Sequence, residues 1–287
     1  MKQTFIFLIL LLSSAFGLFS QEEPKSTTTY LSFKGGVGGV LITDEWLSPL
    51  RYGGTSYSLT GEGEFPLMKD SPWMLRLATD LQYAHVLNPA GNASIDYFRT
   101  ELIPEVMYRL FLPHGFSLAV GPGICISGGT RSHSRNGNNP VSVDAKANLT
   151  AAVLVGWRVP SYKWPIAFRL YANINTIGVG NKIGYAESYF EQEFVDKGFI
   201  HSALFMHWGN QLQSILAFTV DVPLWNVLTL QLGYKMNADI ARISDRKRSG
   251  ITHMGMVGIS FETLWFRGRR AASSDKAAPY LFKPFEL

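Results

Sequence analysis

Polar and apolar residues alternate with a period of two along most of this chain. In GTSYSLTGEGEF (54–65), Thr55, Tyr57, Leu59, Gly61, Gly63 and Phe65 take one parity. Ser56, Ser58, Thr60, Glu62 and Glu64 take the other. Such a beat places the two sets on opposite faces of a β-strand. It returns in TYLSFKGGVGGVL (29–41), PWMLRLATDLQYAHV (72–86), SIDYFRTELIPEVMYRLF (94–111) and FSLAVGPGICIS (116–127). It continues in VSVDAKANLTAAVLVGWRV (141–159), KWPIAFRLYANIN (163–175), LQSILAFTVDV (212–222), VLTLQLGYKM (227–236) and ITHMGMVGISFETLWF (251–266). Residues 141–159 alternate for 19 positions, whereas strands of globular proteins usually run about 3–10 residues. Long, tilted strands of a barrel that spans a membrane fit this length.

Ten segments alternate short and long connections. Short ones lie at 66–71, 112–115, 159–163 and 223–226; longer ones lie at 42–53, 87–93, 128–139, 177–209 and 239–249. Short turns at one end, long loops at the other and an even strand count are the pattern of an outer-membrane barrel. The expected fold is therefore all-β, an antiparallel up-and-down transmembrane β-barrel of about ten strands. If residues 183–190 and 199–208 add another pair, the count becomes twelve. Pro104 cannot donate to a ladder, so a bulge or local break is expected there.

The polar parity then faces a lumen. It holds acids (Glu62, Glu64, Asp80, Glu101, Glu105, Asp144, Asp221) and a similar number of bases (Arg76, Arg99, Arg109, Lys146, Arg169, Lys235). Pairing Phe65 with Trp73 sets Glu62 opposite Arg76, an opposite-charge cross-strand pair. Balanced charge in a narrow barrel favours a filled, ion-paired interior over a wide channel. A small-solute pore or transporter is the alternative.

Composition sharpens the picture. The 287 residues are 46% hydrophobic and only 17% charged, against about 25% charged in soluble domains. A net charge of +4 without a basic stripe gives nucleic-acid binding little support. The single Cys125 rules out an intrachain disulfide and a cysteine-based metal cage. MKQTFIFLILLLSSAFGLFS (1–20) reads as a secretory signal peptide. The barrel is assigned to 21–266. The tail 267–287, RGRRAASSDKAAPYLFKPFEL, reads as a flexible periplasmic segment, with Tyr280, Leu281, Phe282 and Phe285 available to a periplasmic partner. A soluble periplasmic β-protein is the reading that would extract without detergent.

Catalytic signals are weak. FIHSALFMHWGNQ (199–211) holds His201, Ser202, His207 and Asn210 and resembles the His-x-Ser-Asn-Gly pattern of outer-membrane phospholipases and lipid A deacylases. Gly209 stands where that pattern places its serine, so a lipid- or lipopolysaccharide-modifying hydrolase lacks its nucleophile. The scattered histidines His85, His114, His133 and His253 define no metal site, and no cofactor is expected. ISDRKRS (243–249) and TRSHSRNGNN (130–139) are basic segments that suit anionic lipopolysaccharide, and outer-membrane lipids are the expected surroundings.

DEWLSPLRYGGTSYSLTGEGE (44–64) resembles the opening of an uncharacterised family of Gram-negative outer-membrane barrels, catalogued only as a domain of unknown function. Its YLSP-x-x-Y-x-G element is matched by Trp46, Leu47, Ser48, Pro49, Tyr52 and Gly54, with Trp46 departing from the tyrosine. GYAESYFEQEF (184–194) is similar to the family's YG-x-SYYE element through Tyr185, Glu187 to Tyr189, and Glu191. The resemblance implies the barrel architecture and the outer-membrane setting, and brings no known activity or ligand. Both elements are expected in external loops that fold over the mouth.

Overall fold

Ten of the alternating segments become strands of one closed wall. The computed structural model describes residues 26–27, 29–67, 71–137, 140–159, 166–181, 203–224, 228–243, 245–263 and 277–278. In chain order the strands are β1 (Ser26–Thr27), β2 (Thr29–Asp44), β3 (Ser48–Pro66), β4 (Trp73–Leu87), β5 (Ser94–Phe111), β6 (Phe116–His133) and β7 (Val141–Arg158). They continue with β8 (Ala167–Asn181), β9 (Ala203–His207), β10 (Gln211–Pro223), β11 (Leu228–Ile243), β12 (Arg246–Thr263) and β13 (Ala277–Ala278). Strands β2 to β8 and β10 to β12 pair antiparallel with their neighbours, β12 returns to β2, and β10 pairs β8 to close the ring. The ten-strand expectation therefore holds. The signal segment 1–20, Trp164, Tyr185, Tyr189, His201 and Ser202 lie outside the described residues, as does the tail apart from Ala277–Ala278, which pair in parallel with Ser26–Thr27.

Closure can be followed residue by residue. From Tyr30 the Cα partners run to Glu64, Arg76, Glu105, Gly123, Thr150 and Asn175. One step beyond the Ile174↔Ser214 pair reaches Gln213, and the path continues to Asp239, Gly250 and Ile42. It rejoins β2 twelve residues above its start, at Ile42 instead of Tyr30. A stagger of that size over ten strands, at about 3.3 Å per residue and about 4.8 Å between strands, tilts the strands by about 40°. The backbone radius is then about 10 Å, narrow enough for side chains to fill.

The wall is inside-out relative to a soluble protein. Leu59, Leu77, Leu102, Leu149, Val153 and Val257 are exposed, whereas Arg76, Glu64, Glu101 and Gln231 are buried. Two aromatic rows bound the outward apolar band. At the lower end Trp73 meets Tyr108 edge-on at 5.2 Å, and Phe116, Trp157, Phe168 and Phe218 stack in series at 5.5, 5.5 and 6.1 Å. Higher up, Tyr57, Tyr83 and Phe98 are successive cross-strand partners. Trp73 and Tyr83 lie ten residues apart on β4, which at this tilt is about 25 Å of height, the apolar band of a transmembrane barrel.

Two local expectations are corrected. Residues 42–53 and 239–249 are not loops: β2 and β3 join through 45–47, and β11 and β12 through 244–245. Above the upper aromatic row outward residues such as Arg51, Thr43, Arg242 and Lys247 are polar, so the alternation vanishes although strand pairing continues. In the first hairpin Arg76 faces Glu64 and Phe65 faces Leu75, two residues from the expected register. A slip of two keeps every side chain on its face, so parity cannot detect it. Glu62 still reaches Arg76, diagonally, at 3.3 Å. At Pro104 the expected local break occurs, without a bulge. The β5–β6 ladder thins to Leu102↔Ile126, Glu105↔Gly123 and Tyr108↔Val120 with register kept, because Pro104 and Pro122 both lack an N–H.

Register shifts lie elsewhere: in the β2–β3 pairing between Thr43 and Asp44, and in β8, where the β7–β8 register shifts between Asn148 and Thr150. There β8 changes partner: its lower part, Ala167–Ile174, pairs β10, and its upper part, Ile177–Asn181, pairs the extra strand β9. Residue 175 is also where the expected strand ended.

Candidate functional site

The lumen gathers the polar residues in tiers. At the lower end Glu64 lies between Arg109, at 3.0 Å, and Arg169. The Arg169 guanidinium covers the Tyr30 ring at 4.3 Å. Gln231 donates to Tyr30 Oη at 2.6 Å and to Asp221 Oδ1 at 2.5 Å. Above this, Arg76 bridges Glu62 and Glu105, at 3.3 and 2.7 Å, and lies over the Tyr171 ring at 3.8 Å. Lys34 reaches Glu62 at 2.9 Å, and Lys235 reaches Asp80 at 2.7 Å. Tyr171 and Asn173 donate to Glu105 at 2.6 and 2.7 Å.

The next tier joins Arg99 to Glu101 (2.5 Å) and Asp239 (3.1 Å), and Lys146 to Asp239 (2.5 Å) and Asp144 (3.2 Å). At the upper rim Asp44 lies between Arg131, at 3.0 Å, and Arg248, at 3.5 Å. Each end of the lumen is thus closed by one carboxylate held between two arginines. Low surroundings dielectric makes such pairs strong, but only while every charge keeps its partner. A cavity of about 30 Å³ remains, lined by Lys34, Glu62, Arg76, Asp80, Tyr171 and Lys235 among others. That is room for about two waters.

Twelve of the thirteen charges read from the sequence as inward lie in these pairs: Glu62, Glu64, Arg76, Asp80, Arg99, Glu101, Glu105, Arg109, Asp144, Lys146, Arg169 and Lys235; the thirteenth, Asp221, is buried and accepts its hydrogen bond from Gln231. Five others were missed. Asp44, Arg131, Asp239 and Arg248 belong to stretches read as loops. Lys34 shares the parity of Tyr30 and Ser32 within a strand that was recognised, so its inward face was legible.

The family-like element forms the upper mouth. Trp46 and Leu47 occupy the β2–β3 turn; Ser48, Pro49, Tyr52 and Gly54 begin β3. They are strand and turn rather than an external loop, because β-pairing runs to the rim. Asp44 Oδ1 accepts the Trp46 N–H at 3.2 Å, turning the chain inward. Leu47 and Tyr52 are buried in an apolar cluster with Val40, Ile42, Val86, Ile95 and Tyr97. Asn136 donates to the Leu47 carbonyl at 3.2 Å. Tyr52 Oη lies 2.7 Å from His133 Nε2 and donates to Ser48 Oγ at 3.1 Å. At Gly54 a Cβ would come within 2.6 Å of the His85 carbonyl oxygen, so only glycine lets β3 and β4 meet there. Tyr52→Phe removes the His133 and Ser48 bonds and is expected to cost about 1 kcal/mol, read as a lowered urea midpoint of detergent-solubilised protein.

Of the hydrolase candidate, His207 and Asn210 are among the described residues, and His201 and Ser202 lie outside them. His207 is exposed at the end of β9, and its Nδ1 accepts the Gly209 N–H at 3.0 Å. No group of three or more His, Cys, Asp or Glu there is placed to hold a metal ion.

Residues 4–270 match the family described as "Protein of unknown function (DUF3316)". The chain belongs to this family. No curated protein matches it. Solved structures similar to this DUF3316 chain include Neisserial surface protein A (10% identity, TM-score 0.34, covering 82% of this chain and 97% of that one). The transport unit of the autotransporter AIDA-I from Escherichia coli is similar at 11% identity and TM-score 0.45, with 89% and 97% covered. The translocator domain of autotransporter NalP from Neisseria meningitidis is similar at 10% identity and TM-score 0.40, with 91% and 96% covered. Similarity this low transfers no activity to the DUF3316 chain.

Proposed function

We propose that this DUF3316 protein is a non-conducting outer-membrane barrel, a structural or ligand-binding component of the envelope, exported by the signal peptide 1–20. The supporting observation is the pairing at both lumen ends, Glu64 between two arginines below and Asp44 between two above, with the lumen between them crossed by further buried ion pairs such as Arg76 with Glu105 and Arg99 with Asp239. A solute crossing this lumen must separate several buried pairs, and an unpaired buried charge costs about 3–5 kcal/mol. The apolar mouth cluster around Leu47 and Tyr52 adds a layer that ions do not wet. The outer membrane is supported by the wall itself: an apolar band of about 25 Å between aromatic rows is the height its hydrocarbon demands.

Purified protein in planar bilayers is expected to leave the conductance at baseline. Discrete single-channel steps at moderate voltage would overturn the closed lumen and favour the pore. Heat-modifiable gel migration in detergent tests the membrane barrel separately, and extraction without detergent would sink it.

A further inference from the structure

We propose that the outward face made by the upper ends of β11, β12, β2 and β3 docks a multiply phosphorylated, multiply acylated lipid of the outer leaflet. The inference rests on the outer-membrane reading above and assigns that wall a ligand.

Register places the cations. Thr43 is the cross-strand partner of both Arg51 and Ser249, and Arg242 is the partner of Lys247. Their alternation with the inward Asp44, Arg248 and Ile243 turns all five outward. Arg51, Arg242 and Lys247 are exposed, with 71% of the Arg242 side chain open. Arg51 lies six residues above Tyr57 of the upper aromatic row, about 15 Å at the strand tilt. Long basic side chains reach back from there toward the bilayer surface, where lipid phosphates lie. Thr43 and Ser249, between the cations in register, are buried, so the cationic side chains alone present donors on this face.

Outward lysine and arginine on the described strand ends gather on this side. At the same height on β5 to β7 the outward residues are Ser94, Asp96, Ser132 and Val141, without a lysine or arginine. The acids nearest the cations are engaged. The Glu45 carboxylate accepts the Lys247 backbone N–H at 2.7 Å, and Asp245 lies 3.9 Å from Arg242. Three outward cations, Arg51, Arg242 and Lys247, thus stand against two acids, a net positive face that complements a phosphorylated headgroup.

The wall beneath has room for acyl chains. A Cβ added at Gly39 would meet nothing within 4 Å, and one at Gly35 only Leu59 at 3.9 Å. At neighbouring Gly38 it would collide with the His253 carbonyl. Gly38 is demanded by strand packing; Gly35 and Gly39 instead leave two outward gaps flanking the exposed Val37, below the cations.

The test uses full-length protein refolded in detergent and incubated with lipid A, a bis-phosphorylated, multiply acylated glucosamine disaccharide, or with the same lipid after enzymatic removal of its phosphates. Retained lipid is quantified by native mass spectrometry. At least tenfold greater retention of the phosphorylated form is expected. The variant Arg51→Gln/Arg242→Gln/Lys247→Gln should lower it at least tenfold while keeping heat-modifiable migration. Equal retention of both lipids, or undiminished retention by a folded triple variant, overturns the proposal. If the triple variant does not fold, the comparison of the two lipids on wild-type protein decides alone. Loss of heat-modifiable migration in wild type would instead refute the membrane reading, leaving the two failures distinguishable.

Discussion

Glu64→Ala is expected to destabilise the folded barrel by about 3–5 kcal/mol, the largest effect of any single lumen substitution considered. Glu64 is 1% exposed and holds Arg109 and Arg169 together at the lower end. Its removal leaves two guanidinium groups in a space without room for a solvation shell. The cost arises from the carboxylate that both buried cations lose rather than from the pair's own net strength, because desolvation offsets much of the Coulomb attraction. Glu64→Met combined with Arg109→Met, which removes charge of both signs, should therefore recover part of the loss. Urea midpoints of detergent-folded protein, read by gel migration, measure both. A loss below about 1 kcal/mol for Glu64→Ala would show that water reaches this tier, and with it that the lumen is open.

Leu77→Arg should cost about 2–4 kcal/mol, whereas Leu87→Arg on the same strand should cost about 0–1 kcal/mol. Both leucines are outward and exposed, at 39% and 45%. Accessibility therefore predicts no difference between them. Depth does. Leu77 lies between Trp73 and Tyr83, near the middle of the apolar band, and Leu87 lies above the upper aromatic row. An arginine at 77 must enter hydrocarbon or deform the bilayer, while one at 87 meets head groups. Refolding into vesicles, with folded fraction followed against urea, separates the two. Equal small costs would mean that the band faces water or protein and would remove the membrane from the account.

Much of the wall was legible because a barrel strand has two solvents. Hydrocarbon on one side and a polar lumen on the other impose a two-residue period, and Leu149, Val153 and Phe168 against Asn148, Thr150 and Arg169 show it plainly. Legibility ends where one solvent ends. Above the upper aromatic row the two faces no longer differ cleanly in polarity, so the strand ends carrying Asp44, Arg131, Asp239 and Arg248 looked like loops, and the upper closure of the lumen was missed with them. The mouth carries the opposite exception. Val40, Ile42 and Tyr52 are apolar yet inward, because there the lumen is sealed by packing instead of charge.

By itself, the chain's alternation determined that the fold is an antiparallel barrel, which residues face inward and how many strands carry the pattern. Tertiary structure alone decided who meets whom. The two-residue slip in the first hairpin, the twelve-residue stagger and the change of partner along β8 all leave side-chain parity or composition untouched. Pairings such as Glu64 with Arg169, 105 residues apart, depend on how a sheet curls and closes. That is a property of the whole ring, which no single strand encodes.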